Sequence, residues 1–323
     1  MRADNVVIKR RLGQGSYKRA YAADVFDHER EECRREVMLA SRGGACYEEL
    51  IYDATQSASR LSVDDRVHRY GCKVLRKEQL LLECLAGIDG VPQLRPYSSP
   101  ARLFMPYETE WTLHDHIGGF RNEAYQGGGD ALWRYARDIV RVGCDVASTL
   151  EQMASRGVVA HADIKPSNIL VLHKLLDDPE CSIRIIDYGS VVFGDFRWFP
   201  KDSIITTDGY APPEFYSHWP HTGDHKRARK FVRPDKKSDV YMLGMTLYES
   251  LVPGVDFAMV DVFDPDFFFL MVMPSVHRNY AAIGMSSDID EIIVNMIRWS
   301  PKDRWSMTQA LDRLENLYVQ MFR

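Results

Sequence analysis

His161-Ala162-Asp163-Ile164-Lys165-Pro166-Ser167-Asn168 decides how the rest of the chain is read, and Asp187-Tyr188-Gly189 begins nineteen residues after Asn168. An Asp, a Lys two residues on and an Asn five residues on, followed by an apolar run and a second Asp before Gly, suit phosphate chemistry. Asp163 can orient an attacking hydroxyl, and Lys165 can neutralise charge that builds on a transferred group. Asn168 and Asp187 offer hard oxygen atoms of the kind that magnesium binds. Each fragment alone is common; their order and spacing carry the information.

Composition sets the frame. The chain has 323 residues, 45% hydrophobic and 27% charged, enough for one large globular domain or two lobes. A net charge of −5 argues against bulk attraction to nucleic acid or membrane. The longest purely apolar run, Phe267 to Met273, is too short to span a bilayer, and no apolar signal segment precedes Val6-Val7-Ile8. Cysteines 33, 46, 72, 84, 144 and 181 are scattered without a Cys-x-x-Cys pair. They predict free thiols in a reducing compartment, cytoplasmic or nuclear.

Residues 6–26 alternate apolar and polar around Leu12-Gly13-Gln14-Gly15-Ser16-Tyr17-Lys18-Arg19-Ala20-Tyr21, which predicts strand, glycine turn, strand. Gly13 and Gly15 allow close approach to a triphosphate, and Tyr17 can cover it. A helix is predicted from a capping signal at Ser62-Val63-Asp64-Asp65, with an apolar stripe at Val67, Tyr70, Val74, Leu81 and Leu85. At ~100° per residue, Glu78 falls roughly 45° from the centre of that stripe and Lys73 about 95° away. A lone carboxylate bordering an apolar helix face needs a cation. A second long helix is predicted from Asp130 to Gly157, with Leu132, Ala136, Ile139, Val140, Gly143, Val146, Ala147, Leu150 and Met153 on one side. Gly118-Gly119 and Gly127-Gly128-Gly129 bracket an expected flexible insertion.

The ordered set His161–Asn168 and Asp187-Tyr188-Gly189 resembles the catalytic and metal-binding loops of eukaryotic-type protein kinases. The resemblance continues in Thr206-Thr207-Asp208-Gly209-Tyr210-Ala211-Pro212-Pro213-Glu214, in Lys237-Ser238-Asp239 and in Trp299-Ser300-Pro301-Lys302-Asp303-Arg304-Trp305. It runs from about residue 6 to 320. It implies an α+β, bilobal fold. A small β-rich N-lobe with the family's αC helix would cover about 1–108, and a larger, mainly helical C-lobe 109–323. Segments 41–60 and 218–237 would be insertions in this single domain, and the basic stretch 225–237 a candidate dock for an acidic partner, with nucleic acid a weaker option.

The implied activity is transfer of the ATP γ-phosphoryl group to a Ser or Thr hydroxyl of a protein, with Lys165 favouring that acceptor class. Asp163, Lys165 and Thr207 would act at the acceptor; Asn168 and Asp187 would hold magnesium, or manganese in its place. Arg102–Glu108 resembles the hinge strand, with Met105 as gatekeeper behind the adenine and backbone groups of Pro106 and Glu108 reading the purine edge. Leu12, Gly13, Gly15, Ser16, Tyr17 and Leu170 complete the nucleotide set, with Glu78 as the ion-pairing glutamate of the αC helix. Two departures stand out. Ala162 replaces the Arg of His-Arg-Asp, so ordering of the activation segment by a phosphate on that Arg is not expected. The third strand, Glu36-Val37-Met38-Leu39-Ala40, places Ala at the position expected for the lysine. Gly13-x-Gly15-Ser16-Tyr17-Lys18 together with that absence resembles the WNK ("with no lysine") kinases, in which a second-strand lysine reaches the same phosphates. The competing reading is a pseudokinase that serves as a binding module.

Overall fold

The computed structural model describes residues 6–14, 18–27, 32–41, 63–99, 102–109, 111–172, 183–194, 206–215, 233–252 and 286–322. The chain divides into two compact units, Met1–Glu110 and Trp111–Arg323. Insertion 41–60 beyond Ser41, which ends a strand, the glycine-loop tip Gly15-Ser16-Tyr17, Ser62 of the capping signal and most of 218–237 lie outside the described residues.

In the first unit, β1 (Val6–Gln14), β2 (Lys18–Asp27), β3 (Glu32–Ser41) and β4 (Arg102–Pro106) form one antiparallel sheet in that order. Side chains alternate faces along a strand, so the register assigns each residue a side. One face carries Ala23, Val25, Met38 and Phe104, with Val6, Tyr21, Ala40 and Tyr97 packed against them. The other carries Lys18, Ala22, Leu39, Leu103 and Met105, and receives α1 (Val63–Cys84). Helix α1 runs unbroken through Gly71 and buries Cys72, Leu75, Glu78, Leu81 and Leu82.

Two features of this unit differ from the sequence expectation. Gly90-Val91-Pro92 predicts a turn into strands, but the chain after it is reduced to a hook on β4, where the Arg95 amide donates to the Phe104 carbonyl at 2.8 Å and Ser99 bridges Arg102. That hook is fastened by a charge. Fully buried Glu36 lies 2.9 Å from the Arg95 guanidinium and accepts the Tyr97 hydroxyl at 2.5 Å. Burial, followed by the Glu36 carboxylate, holds the Tyr97 phenol well above its ordinary pKa. The second difference is register. Ala40 pairs with Arg19 and packs on the face away from α1, so a lysine at 40 would not point toward Glu78. The positions next to 40 on β3 that share the Lys18 face are 39 and 41, occupied by Leu39 and Ser41. A four-residue apolar run does not reveal which alternate set faces the helix.

The second unit opens with a run that the glycines had suggested to be a flexible insertion and that is helical instead. Thr112 and Asp115 form a capping box for α2 (Leu113–His116), a π-helical turn follows at Ile117–Arg121, and α3 (Asn122–Gln126) completes the run. Exposed glycines at 118 and 119 do not break it, because cap and core contacts at either end outweigh about 1 kcal/mol of propensity each. Next, α4 (Gly129–Ser155) buries every residue of its predicted stripe, and the chain leaves it through Gly157, whose φ of +96° suits glycine.

Helix α5 (Lys236–Leu251) is buried on all sides from Ser238 to Leu251. It packs between α4 and α6 (Ser286–Met296), and α7 (Met307–Gln320) lies along α4. Gly143 and Gly244 allow these close approaches: a Cβ at 244 would stand 2.7 Å from the Ile297 side chain, and one at 143 would stand 3.1 Å from Leu247. Among the described residues, no helix is long and apolar enough to cross a membrane, and Cys33, Cys72, Cys84 and Cys144 are free thiols.

Candidate active site

Four short strands frame the loops of interest in the second unit. β5 (Val158–Ala160) pairs with β8 (Val192–Phe193), and β6 (Ile169–Val171) pairs with β7 (Ile183–Ile185). Between β5 and β6 runs His161–Asn168; just after β7 comes Asp187. The pairing brings the two loops together, and the Ile186 amide donates to the Asn168 carbonyl at 2.9 Å. Both loops turn through residues in the left-handed region, Ala162 at φ 66° and Asp187 at φ 67°. Non-glycine residues rarely adopt this backbone, and the surrounding bonds hold it in place.

For Ala162 the holding group is Asp239, at the start of α5. Its carboxylate accepts the backbone N–H groups of His161 at 2.7 Å and Ala162 at 2.9 Å. Burial pushes the Asp239 carboxyl up to about 7, and those two hydrogen bonds pull against that shift. Below, His161 and Tyr188 are both buried and meet edge to face, with ring centroids 5.3 Å apart.

The catalytic-loop side chains close into one cluster. Asp163 Oδ2 accepts Lys165 Nζ at 2.9 Å and Asn168 Nδ2 at 2.8 Å. Asp163 Oδ1 accepts the Thr207 amide at 3.1 Å and its hydroxyl at 3.0 Å. Lys165 Nζ also donates to Thr207 Oγ1 at 2.6 Å. Asn168 Nδ2 donates as well to the Asp163 carbonyl at 2.8 Å, which turns the amide oxygen the other way. The Asp187 carboxylate accepts the Gly189 amide at 3.3 Å.

Asn168 and Asp187 fit a divalent cation that relies on few protein ligands. Among the described residues no group of three or more His, Cys, Asp or Glu could hold a metal by itself. Magnesium does not need one, since it is commonly held by one or two carboxylates together with phosphate oxygens.

In the first unit, Lys18 Nζ donates to Glu78 Oε1 at 2.8 Å and to Oε2 at 2.6 Å. The lysine side chain is 13% exposed and the glutamate 2%. Lys73 is exposed on α1, as its angular position predicted. Leu12 is half-buried and Gly13 exposed on β1. Met105 is buried on β4 beside half-buried Pro106, and Glu108 is exposed beyond the strand. Leu170, in the second unit, sits on β6 bridged to Thr112.

The end of the segment after Thr207 is fixed by two further contacts. The Arg304 guanidinium, with its side chain 0% exposed, grips both oxygens of Glu214 at 2.9 and 3.0 Å and lies 4.9 Å from the Tyr241 ring centroid. Buried Tyr210 donates its hydroxyl to buried Glu249 in the last turn of α5. Glu249 was not found from the sequence. Its one signal is a carboxylate at the end of a helix, where the dipole disfavours negative charge. The last two lysines of the basic stretch are in the first turn of α5, capped by Asp235, and not in a loop. Lys237 donates to the Arg304 carbonyl, and burial lowers its pKa. Residues 225–232 lie outside the described residues.

Residues 121–314, more than half of the chain, match the family model described as a protein kinase domain. Serine/threonine-protein kinase ELM1 of Saccharomyces cerevisiae is 34% identical over 116 residues, 32% of this chain and 16% of its own length. Calcium-dependent protein kinase 7 of rice is 28% identical over 196 residues, 58% of this chain and 32% of its own. Human homeodomain-interacting protein kinase 4 is 25% identical over 188 residues, 56% and 26% respectively. The chain thus spans at most about a third of the length of these relatives.

Proposed function

The chain belongs to the protein kinase family, and from that premise we propose that it is an active kinase that transfers the γ-phosphoryl group of ATP to a Ser or Thr hydroxyl of a protein. The family uses ATP and a divalent metal, and magnesium is the cation that the Asn168 and Asp187 oxygens suit. The observation that carries the proposal is the closed Asp163–Lys165–Asn168–Thr207 cluster.

In this reading the acceptor oxygen attacks the γ-phosphorus, the bond to the β–γ bridging oxygen breaks, ADP leaves, and the acceptor proton passes to Asp163. Asp163 is already oriented by three neighbours, so little reorganisation is left for the reacting complex. Lys165 places its charge beside the acceptor position, where negative charge grows on the transferred group. Thr207 ties Asp163 to Lys165 and forms one wall for a small hydroxyl-bearing side chain. Lys18, oriented by Glu78, neutralises phosphate charge; Asn168 and Asp187 would hold magnesium, which when bound screens the phosphate oxygens. Met105, Pro106, Glu108, Leu12, Gly13 and Leu170 are assigned to the nucleotide, with Gly15, Ser16 and Tyr17 on the loop tip.

The whole of 1–323 is assigned to one kinase domain with inserts at 41–60 and 218–235, and the free thiols support a reducing compartment. The test is transfer of radiolabel from γ-labelled ATP with magnesium to a generic protein substrate, followed by phosphoamino-acid analysis. Label on Ser or Thr that disappears in Asp163→Asn is expected. A wild-type chain that transfers none, and whose thermal midpoint ignores nucleotide, is a pseudokinase.

A further inference from the structure

The carboxyl end of α5 is tied down by residues far away in sequence. A helix end leaves its last carbonyl groups without intrahelical partners, and water cannot serve them where the helix is buried on all sides. Three side chains supply the bonds. Arg121 Nη1 donates to the Glu249 carbonyl at 2.7 Å and the Val252 carbonyl at 2.9 Å. Tyr125 donates to the Leu251 carbonyl at 2.9 Å, and Tyr135 to the Ser250 carbonyl at 2.7 Å. The arginine also brings positive charge to the negative end of the helix dipole.

Of these three, Arg121 is the one bonded to Glu249, whose side chain holds the segment after Thr207. Glu249 accepts the Tyr210 hydroxyl; the Tyr210 and Ala211 amides both donate to the Thr207 carbonyl at 3.1 Å; and Thr207 donates its amide and hydroxyl to Asp163. Arg121 reaches α5 from the last position of the π-helical turn, a wide turn that shifts the helical register just before it.

We propose that Arg121 is a positioning residue for the acceptor side of the site: it fixes the last turn of α5 so that Glu249 holds Tyr210, and through it Thr207, against Asp163. The kinetic part rests on the kinase reading; the structural link does not.

Hydrogen exchange on the full chain reads the link directly. Arg121→Ala speeds exchange of the Thr207, Tyr210 and Ala211 amides about tenfold, and Arg121→Lys restores most of the protection. Tyr125→Phe, which removes the bond to the Leu251 carbonyl at the same helix end, leaves these amides unchanged. Tyr210→Phe cuts the link at its other end and gives the same acceleration, so the test survives an Arg121→Ala chain that fails to fold. In steady-state transfer, Arg121→Ala raises KM for the protein acceptor about tenfold and shifts KM for ATP by less than about twofold.

Equal acceleration by Tyr125→Phe, or unchanged exchange at 207–211 in Arg121→Ala and Tyr210→Phe, overturns the proposal. A wild-type chain without transfer activity that still shows the exchange response sinks the kinase reading and leaves the link standing. Normal transfer without the response does the reverse.

Discussion

Lys18→Met is the substitution with the most to say about the first unit. It leaves Glu78, 2% exposed, with its charge and without the ammonium that contacts both its oxygens. Removing one partner of a buried pair costs about 3–5 kcal/mol, and the 13% exposure of Lys18 argues for the lower end, about 3 kcal/mol. That is roughly a 150-fold shift in the folding equilibrium, enough to move a urea midpoint by more than about 1 M at ordinary slopes. Adding Glu78→Gln removes the stranded charge, so the double variant recovers about 2 kcal/mol of the loss and the cycle is non-additive. Lys73→Met, on the exposed flank of α1, stays within about 0.5 kcal/mol. In the transfer assay Lys18→Met loses on the order of 100-fold, the usual loss when one preorganised charge-stabilising donor is removed. Additive single effects, or a Lys18→Met chain as stable as Lys73→Met, would refute the pairing argument. Full transfer activity in Lys18→Met would refute the phosphate role alone.

Other perturbations test the second unit. Arg304→Met strands Glu214 and several carbonyl groups and costs about 3–5 kcal/mol, whereas Glu214→Gln, which leaves Arg304 its bonds to the Arg298 and Lys237 carbonyls, costs about 1–2; urea unfolding ranks them, and the reverse order refutes the assignment. For Asp239, the folded pKa of about 7 lies above the ordinary 3.8, so the folded state keeps a proton that the unfolded state releases between those values. Its contribution to stability is therefore complete below about pH 4 and is lost as pH rises to about 7, at up to ~1.4 kcal/mol per unit relative to Asp239→Asn. A difference between the two chains that does not fall across that window contradicts the shift. Finally, ATP with magnesium raises the thermal midpoint, and chelation or Asp187→Asn removes most of the rise; a rise that survives both would mean that the metal is held elsewhere.

Legibility in the sequence followed the range of the interactions. His161–Asn168 and Asp187 could be read because each role depends on residue type at short spacing, and the structure brings Asp163, Lys165, Asn168 and Thr207 together. The Lys18–Glu78 contact spans 60 residues, yet it was inferable: a carboxylate on an apolar helix face has to find a cation, and the resemblance to the WNK glycine loop pointed to Lys18. The bond between Arg121 and Glu249 gave no such hint: it spans 128 residues and uses a backbone carbonyl, which every residue carries. The helical run through Gly118 and Gly119 was misread for a related reason. Propensity is local, while the cap at Thr112 and the anchor at Arg121 act from the ends of the run.

The register of the first sheet limits where its cation can sit. Lys18 and Ser41 are directly opposed across β2 and β3, so both face α1. A lysine moved from position 41 to 18 would travel sideways by one strand spacing, about 4.8 Å, a step that its flexible four-carbon stem can absorb. A move of one residue along β3 would instead turn it through the sheet to the Ala40 side. Relocation of charge in such a sheet is therefore lateral between strands or in steps of two along one. Restoring a third-strand lysine in this protein means Ser41→Lys with Lys18 removed; Ala40→Lys would direct the ammonium into the packed face of Met38 and Phe104.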